Sequence, residues 1–277
     1  MDEAVSGGTS VYKWIVHAET KRIRRTLRLL PPPVRAKVQS ALTLGLIGEP
    51  FHVETPRGRL AFALLGLSTA QRAIATLTKQ PETITWIDSF KPQSVFWDIG
   101  ANVGVYSLYA AQRGDVSVTA FEPAAVNYFL LTANCELNGL EERIDCLLLG
   151  LGDEKTLGHM QISQFDPARS FSFKGKKREP QPGRQAALIV TIDQLMDEYQ
   201  LPCPNYIKID APGASEAIIA GGARTLRRPE VRQLHLEVRE SSKGGQRILD
   251  MLTQSGFVPT GKDVHGGSAD LTFARRG

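Results

Sequence analysis

From residue 94 onward, short apolar runs alternate with amphipathic stretches. The runs are SVFWD (94–98), VSVTAFE (116–122), IDCLLL (144–149), YIKID (206–210) and RQLHLEV (232–238). Between the second and third, Val126, Phe129, Leu130, Ala133 and Leu137 recur at helical spacing, and Asn138-Gly139 ends that helix. Continuous apolar strands joined by helices predict a parallel sheet covered on both faces. FVPT and ADLTFARR near the end predict two last strands, with a hairpin as one way to join them. Residues 150–189 break the rhythm with Gly, Ser, Pro and basic residues; so long a connection predicts an inserted hairpin, lid or loop.

Upstream the texture differs. Residues 1–10 are expected to fray, 11–30 to form a helix stopped by Pro31-Pro32-Pro33, and 34–47 a second helix. A short strand or a hairpin is expected around VETPRGRLAFALLG, then a helix over 70–78 and a helical turn at PETITWIDSF. The expected organisation is therefore a helical and mixed N-terminal cap over 1–90 and a sheet domain over 91–277 that carries the 150–189 insertion.

Chemistry first appears at the end of the first of these strands. Asp98-Ile99-Gly100-Ala101-Asn102-Val103-Gly104 leads from strand to helix. Glycines there let backbone approach a ligand, and a helix N-terminus offers free N–H groups. Glu122 ends the next strand, where a carboxylate can accept both hydroxyls of a ribose. Together they predict a nucleoside-bearing ligand at the carboxyl ends of the first two strands. An acid at the loop entrance repels a pyrophosphate but suits ammonium and sulfonium charge. That favours S-adenosylmethionine over NAD, and makes a nicotinamide-dependent oxidoreductase the weaker reading.

A second feature is YIKIDAPGASEAII (206–219), where Lys208 and Asp210 share one face of a buried strand. Buried charges are costly unless something repays them. As chemistry, Asp210 at the strand end is the first candidate for a base or acceptor-orienting group and Lys208 for a positioning group. Glu237, near the end of the fifth strand, is the second candidate base. As structure, Lys208 pairs within the fold and Asp210 caps the following helix. His235 alternates with Glu237 and reads more readily as a hydrogen-bonded packing residue than as a catalyst.

Composition adds constraints. At 277 residues, 42% hydrophobic and 22% charged, the chain supports a sizeable core. The net charge of +4 is unevenly spread: Val11 to Lys37 holds eight basic residues against Glu19 alone, a net of +7, which leaves about −3 elsewhere. Binding to a specific nucleic acid is therefore not expected. The basic segment has three readings: a solvated helix face, a grip on an acidic glycan or carrier, or peripheral membrane contact through residues 11–37, which Trp14 and Ile15 favour. The basic loop 174–184 reads as solvated, or as a lid for an acidic substrate. Cys135, Cys146 and Cys203 form no Cys-x-x-Cys pair and read as free thiols. With no visible signal peptide, they indicate a cytoplasmic protein. No metal site is expected.

The ordered set VFWDIGANVGVYSLYAA, AFEP (120–123), LTANCELNGL (131–140), VTIDQL (190–195) and YIKID…G (206–213) resembles the FkbM-type methyltransferases across about 94–275. PETITWIDSF resembles that family's lead-in. The resemblance implies a class I methyltransferase (Rossmann-like) α/β fold, with a mostly parallel seven-stranded sheet, helices on both faces and a reversed last strand. It also implies S-adenosylmethionine-dependent O-methylation of a sugar, glycan or secondary metabolite. By motif match, Asp98, Gly100, Ala101, Asn102, Gly104, Glu122 and Pro123 would hold the cofactor. One departure stands out. The family usually reads Asp-Val-Glu-Gly-Ala-Glu here, whereas this chain reads Asp210-Ala211-Pro212-Gly213-Ala214-Ser215, with Glu216 one position later. The alternative is therefore a methyltransferase-like module without catalysis that acts by binding or at a membrane surface.

Overall fold

A computed structural model of the chain describes residues 3–75, 77–162, 168, 183–265 and 267–276. It forms two compact units, Met1–Glu49 and Pro50–Gly277. The first holds helices α1 (Glu3–Arg28) and α2 (Pro32–Ile47). α1 starts earlier than the expected residue 11. The triple proline ends α1 as expected, but it also starts α2, because proline suits the first helical position, where an N–H has no partner anyway.

The second unit opens with hairpin β1 (Phe51–Thr55) and β2 (Gly58–Phe62), then α3 (Leu67–Ile74) and α4 (Pro81–Asp88). The alternating region follows as β3 (Ser94–Ile99), α5 (Val105–Ala111), β4 (Val116–Phe121), α6 (Ala125–Leu137) and β5 (Ile144–Leu147). The insertion supplies β6 (Gly150–Leu151), β7 (Thr156–Ile162) and β8 (Gly183–Val190). The chain ends with α7 (Ile192–Asp197), β9 (Tyr206–Ile209), α8 (Ser215–Ala220), β10 (Gln233–Val238), α9 (Lys243–Gln254), β11 (Phe257–His265) and β12 (Ser268–Arg275).

The expected division near residue 90 is corrected to Glu49/Pro50. Residues 50–90 belong with the sheet because their polar and apolar groups are satisfied there. Asn138 accepts from the Ala61 N–H at 2.8 Å and donates to the Ala61 carbonyl at 2.8 Å; Asn134 accepts from the Ala63 N–H at 2.7 Å. Asn134 of α6 and Asn138 just past its end thus satisfy the backbone of β2 and of the residue after it. Trp86 of α4 packs edge-on to Phe90 and Phe96, with centroids 4.8 and 5.9 Å away.

The central sheet has the order β11-β12-β10-β9-β3-β4-β5. β12 alone is antiparallel to its neighbours. This is the class I methyltransferase architecture. One sheet face carries a continuous apolar cluster, including Trp97, Ile99, Ile207, Ile209, Leu234 and Leu236. The opposite face carries Phe96, Asp98, Tyr206, Lys208 and His235, as the two-residue strand period requires. The insertion forms a three-stranded sheet in the order β6-β8-β7. Lys174, Lys176, Lys177 and Arg178 of the basic loop lie outside the described residues, and Arg184 is exposed on β8. The VTIDQL motif is structural: Thr191 and Gln194 cap α7 reciprocally, and Asp193 accepts from the Thr225 N–H at 2.8 Å.

Candidate active site

The loop after β3 is fixed by backbone geometry. The Gly100 and Ala101 N–H groups both donate to the Phe121 carbonyl, at 2.9 and 3.0 Å, tying the loop to β4. Gly100 has φ +81° and Gly104 φ +89°. A Cβ at Gly104 would lie 2.6 Å from Leu131 Cδ1, so glycine is needed there for close packing against α6. Asn102 adopts φ +57°, a conformation asparagine tolerates better than most residues. Asn134 donates to the Val103 carbonyl at 2.8 Å and accepts from the Ala63 N–H, so it links this loop to the residue after β2.

Glu122 is buried at the end of β4. Its Oε2 accepts from the Asn102 N–H and its Oε1 from the Ala124 N–H, both at 2.9 Å. Asn127 Nδ2 stands 3.5 Å from Oε1. Oε2 therefore keeps a lone pair for a further donor, and at Oε1 the second site is taken only by the long Asn127 contact. Burial pushes the carboxyl up to about 7, against the pull of the Ala124 and Asn102 N–H groups, Asn127 and Arg72.

Gly100, Asn102, Glu122, Pro123, Asn127 and Asp210 line one cleft, walled on the insertion side by Leu149, Gly150, Leu151 and Met160. Its empty space is about 620 Å³, open solvent at its mouth included. The doubly anchored carboxylate at Glu122 fits the ribose end of a nucleoside, and the Gly100 backbone lines the cleft beside it.

Lys208 answers the question of the buried charges. It is 4% exposed, and its Nζ lies 3.6 Å from both Asp98 Oδ1 and Asp210 Oδ2. The Tyr106 ring centroid is 4.8 Å from it. Asp98 is fully buried; its Oδ2 accepts from Ser107 Oγ at 2.7 Å, while Oδ1 has no hydrogen bond and faces only the ammonium. Asp210 is one third exposed. Burial pushes its carboxyl up, but Lys208, Arg72 and Lys79 outweigh that and hold its pKa below the ordinary value. Asp210 does not cap α8, whose N-cap is Ala214 without a side-chain hydrogen bond.

The expected residues thus fall into two groups. Gly100, Asn102, Glu122, Pro123 and Asp210 meet in the cleft. Asp98, Ala101 and Gly104 stand behind it as support: Asp98 under Lys208, Ala101 bonded to β4, Gly104 against α6. Glu237 is exposed and lines an adjoining recess with Lys208, Asp210, His235, Gln80 and Asp270, away from Glu122. His235 is held between Thr83 Oγ1 and Thr272 Oγ1, each at 3.0 Å, and stacks on Trp86. Burial, with Lys208 adding, pushes its pKa down to about 4, so it is a neutral packing residue.

Sequence reasoning missed Tyr106, Gln80 and Asp270. Tyr106 donates to Gln80 Oε1, and Gln80 Nε2 donates to Asp270 Oδ2 at 2.8 Å. Asp270 faces Glu237 across β10 and β12, a register that no local spacing reveals. Glu216, displaced by one position from the family's acid, pairs with Arg247, 2.8 Å between Oε2 and Nη2, and does not reach the cleft.

Known proteins are similar to this chain over most of the second unit. The methyltransferase FkbM domain matches residues 98–259. The hexuronic acid methyltransferase AglP of Haloferax volcanii is 22% identical, covering 67% of this chain and 74% of that protein. The 31-O-demethyl-FK506 methyltransferase FkbM of Streptomyces tacrolimicus is 24% identical, covering 61% and 74%. A solved methyltransferase FkbM from Methylobacillus flagellatus superposes with a TM-score of 0.49 at 18% identity, covering 76% of this chain and 56% of that one. With the matched domain spanning more than half of its length, from Asp98 in the strand before the glycine loop to Pro259 in β11, this chain belongs to the FkbM methyltransferase family.

Proposed function

We propose that the protein transfers a methyl group from S-adenosylmethionine to a hydroxyl oxygen of a sugar, glycan or secondary metabolite. The observation that carries this reading is the convergence of Gly100, Glu122 and Asp210 on one cleft. When bound, S-adenosylmethionine supplies a methyl group on a positively charged sulfur. Glu122 accepts one ribose hydroxyl at the free lone pair of Oε2, and a second in place of the long Asn127 contact at Oε1. The Gly100–Gly104 loop, fixed to β4, holds the nucleoside against the sheet edge.

Asp210 acts on the acceptor. An alcohol proton becomes strongly acidic only as its oxygen gains a methyl group, so a carboxylate of low basicity suffices to take it late in the reaction. Before that, the same oxygen orients the hydroxyl, which is the larger part of the protein's contribution. Lys208 holds Asp210 ionised and fixed, and Asp98 pairs with Lys208 from within the sheet. The Ala211-Pro212-Gly213 turn removes the carboxylates that the family usually carries beyond this aspartate. Asp210 therefore works without them, in a less acidic setting. The names of two relatives support this acceptor class: one acts on a hexuronic acid and the other on 31-O-demethyl-FK506.

The test is methyl-labelled S-adenosylmethionine with a panel of hexuronic acids, neutral glycans and hydroxylated metabolites, using the wild type and Asp210→Asn. Label should enter an oxygen ether in the wild type. In the variant, turnover should fall by about 100-fold or more while cofactor affinity is kept. Transfer to nitrogen or carbon, or unchanged turnover in the variant, would overturn the proposal.

A further inference from the structure

The N-terminal unit carries an exposed aromatic side chain beside a row of cations. On α1, Trp14, Ala18, Lys21, Arg25 and Arg28 follow steps of four and three residues and so share one helix face. Trp14 is 71% exposed, and Leu29, just past the helix end, is 85% exposed. Lys21, Arg25 and Arg28 are exposed on the same stripe. Between Trp14 and Leu44 the chain carries seven basic residues and one acid, Glu19, which pairs with Arg22 at 3.3 Å.

We infer that this face docks the protein peripherally on an anionic lipid surface. An aromatic ring beside a row of cations matches the membrane interface, where the ring enters the headgroup layer and the cations meet acidic headgroups. A nucleic acid would reward the cations but leave Trp14 and Leu29 in water. A second copy of this chain would set like charges against each other. No helix among the described residues is long and apolar enough to cross a membrane, so the contact is a surface one. It would hold the catalytic unit beside acceptors that are themselves carried on lipid or displayed at a membrane.

Flotation of the full chain with vesicles tests this. Vesicles containing phosphatidylglycerol should carry the protein, pure phosphatidylcholine vesicles should not, and raised salt should release it. Lys21→Gln/Arg25→Gln/Arg28→Gln should lower the partition coefficient by about a hundredfold. Trp14→Ser should lower it at constant charge. Both variants should keep the wild-type affinity for S-adenosylhomocysteine, which shows that they are folded. No flotation with anionic vesicles, or equal flotation of the charge variant, would overturn the inference. So would self-association by light scattering that Trp14→Ser abolishes in the absence of vesicle binding, since a second copy would then cover the face.

Discussion

A Cβ at Gly100 would lie 2.2 Å from the carbonyl oxygen of Asp210 and 2.9 Å from its carbonyl carbon. The Asp210 N–H in turn donates to the Ile99 carbonyl at 2.9 Å. The loop expected to hold the cofactor and the strand end expected to meet the acceptor are therefore in backbone contact. Neither can shift without moving the other, so two functions read separately in the sequence share one rigid junction.

Gly100→Ala should accordingly damage both. Its φ of +81° strains any side chain, and the clash is with backbone, which cannot rotate away. The expected loss is at least about 2 kcal/mol in urea unfolding, with weaker binding of S-adenosylhomocysteine. Wild-type stability would show that the junction is looser than described.

Lys208 is predicted to be structural as well as functional. Lys208→Met leaves Asp98 buried with an oxygen that faces nothing, at a cost of about 3–5 kcal/mol. Lys208→Met/Asp98→Asn should recover much of that, because the stranded charge is gone. Asp210 is partly exposed and can turn to water, so adding Asp210→Asn to Lys208→Met should recover little. Equal rescue by both partners would contradict this asymmetry.

Two buried groups give opposed pH dependences. Glu122 has its pKa raised in the folded state, to about 7, so its stabilising contribution is present at low pH and is lost as pH rises from about 4.5 to 7. His235 has its pKa lowered, to about 4, so its contribution is present above about 6.5 and is lost as pH falls toward 4. In the cofactor-free wild type these oppose each other between about pH 4.5 and 6.5. Denaturant titrations should show stability rising with pH in Glu122→Gln and falling with pH in His235→Gln across that window. The same slope in both variants would contradict the assignment.

Much of this was legible beforehand because local pattern decides it. The strands from Ser94 onward, the glycine loop and Glu122 follow from apolar runs, turn residues and strand-end position. What was not legible depends on which strands lie side by side. β9 inserts between β3 and β10, which brings Asp98 and His235 to either side of Lys208. Asp270 reaches Gln80 only because β12 returns antiparallel beside β10. The unit boundary was misplaced for a similar reason. The β1–β2 hairpin looks like an appendage until Asn134 and Asn138, far along the chain, are seen to satisfy the backbone of β2 and of the residue after it.

The central claim is that the cleft between Gly100, Glu122 and Asp210 binds a sulfur nucleoside. Isothermal titration of the wild type and Glu122→Ala with S-adenosylhomocysteine and with NAD tests it most directly. The account predicts binding of S-adenosylhomocysteine, a loss of about 1.5–3 kcal/mol in Glu122→Ala, and no binding of NAD. No heat with S-adenosylhomocysteine, or binding that Glu122→Ala leaves unchanged, would contradict it.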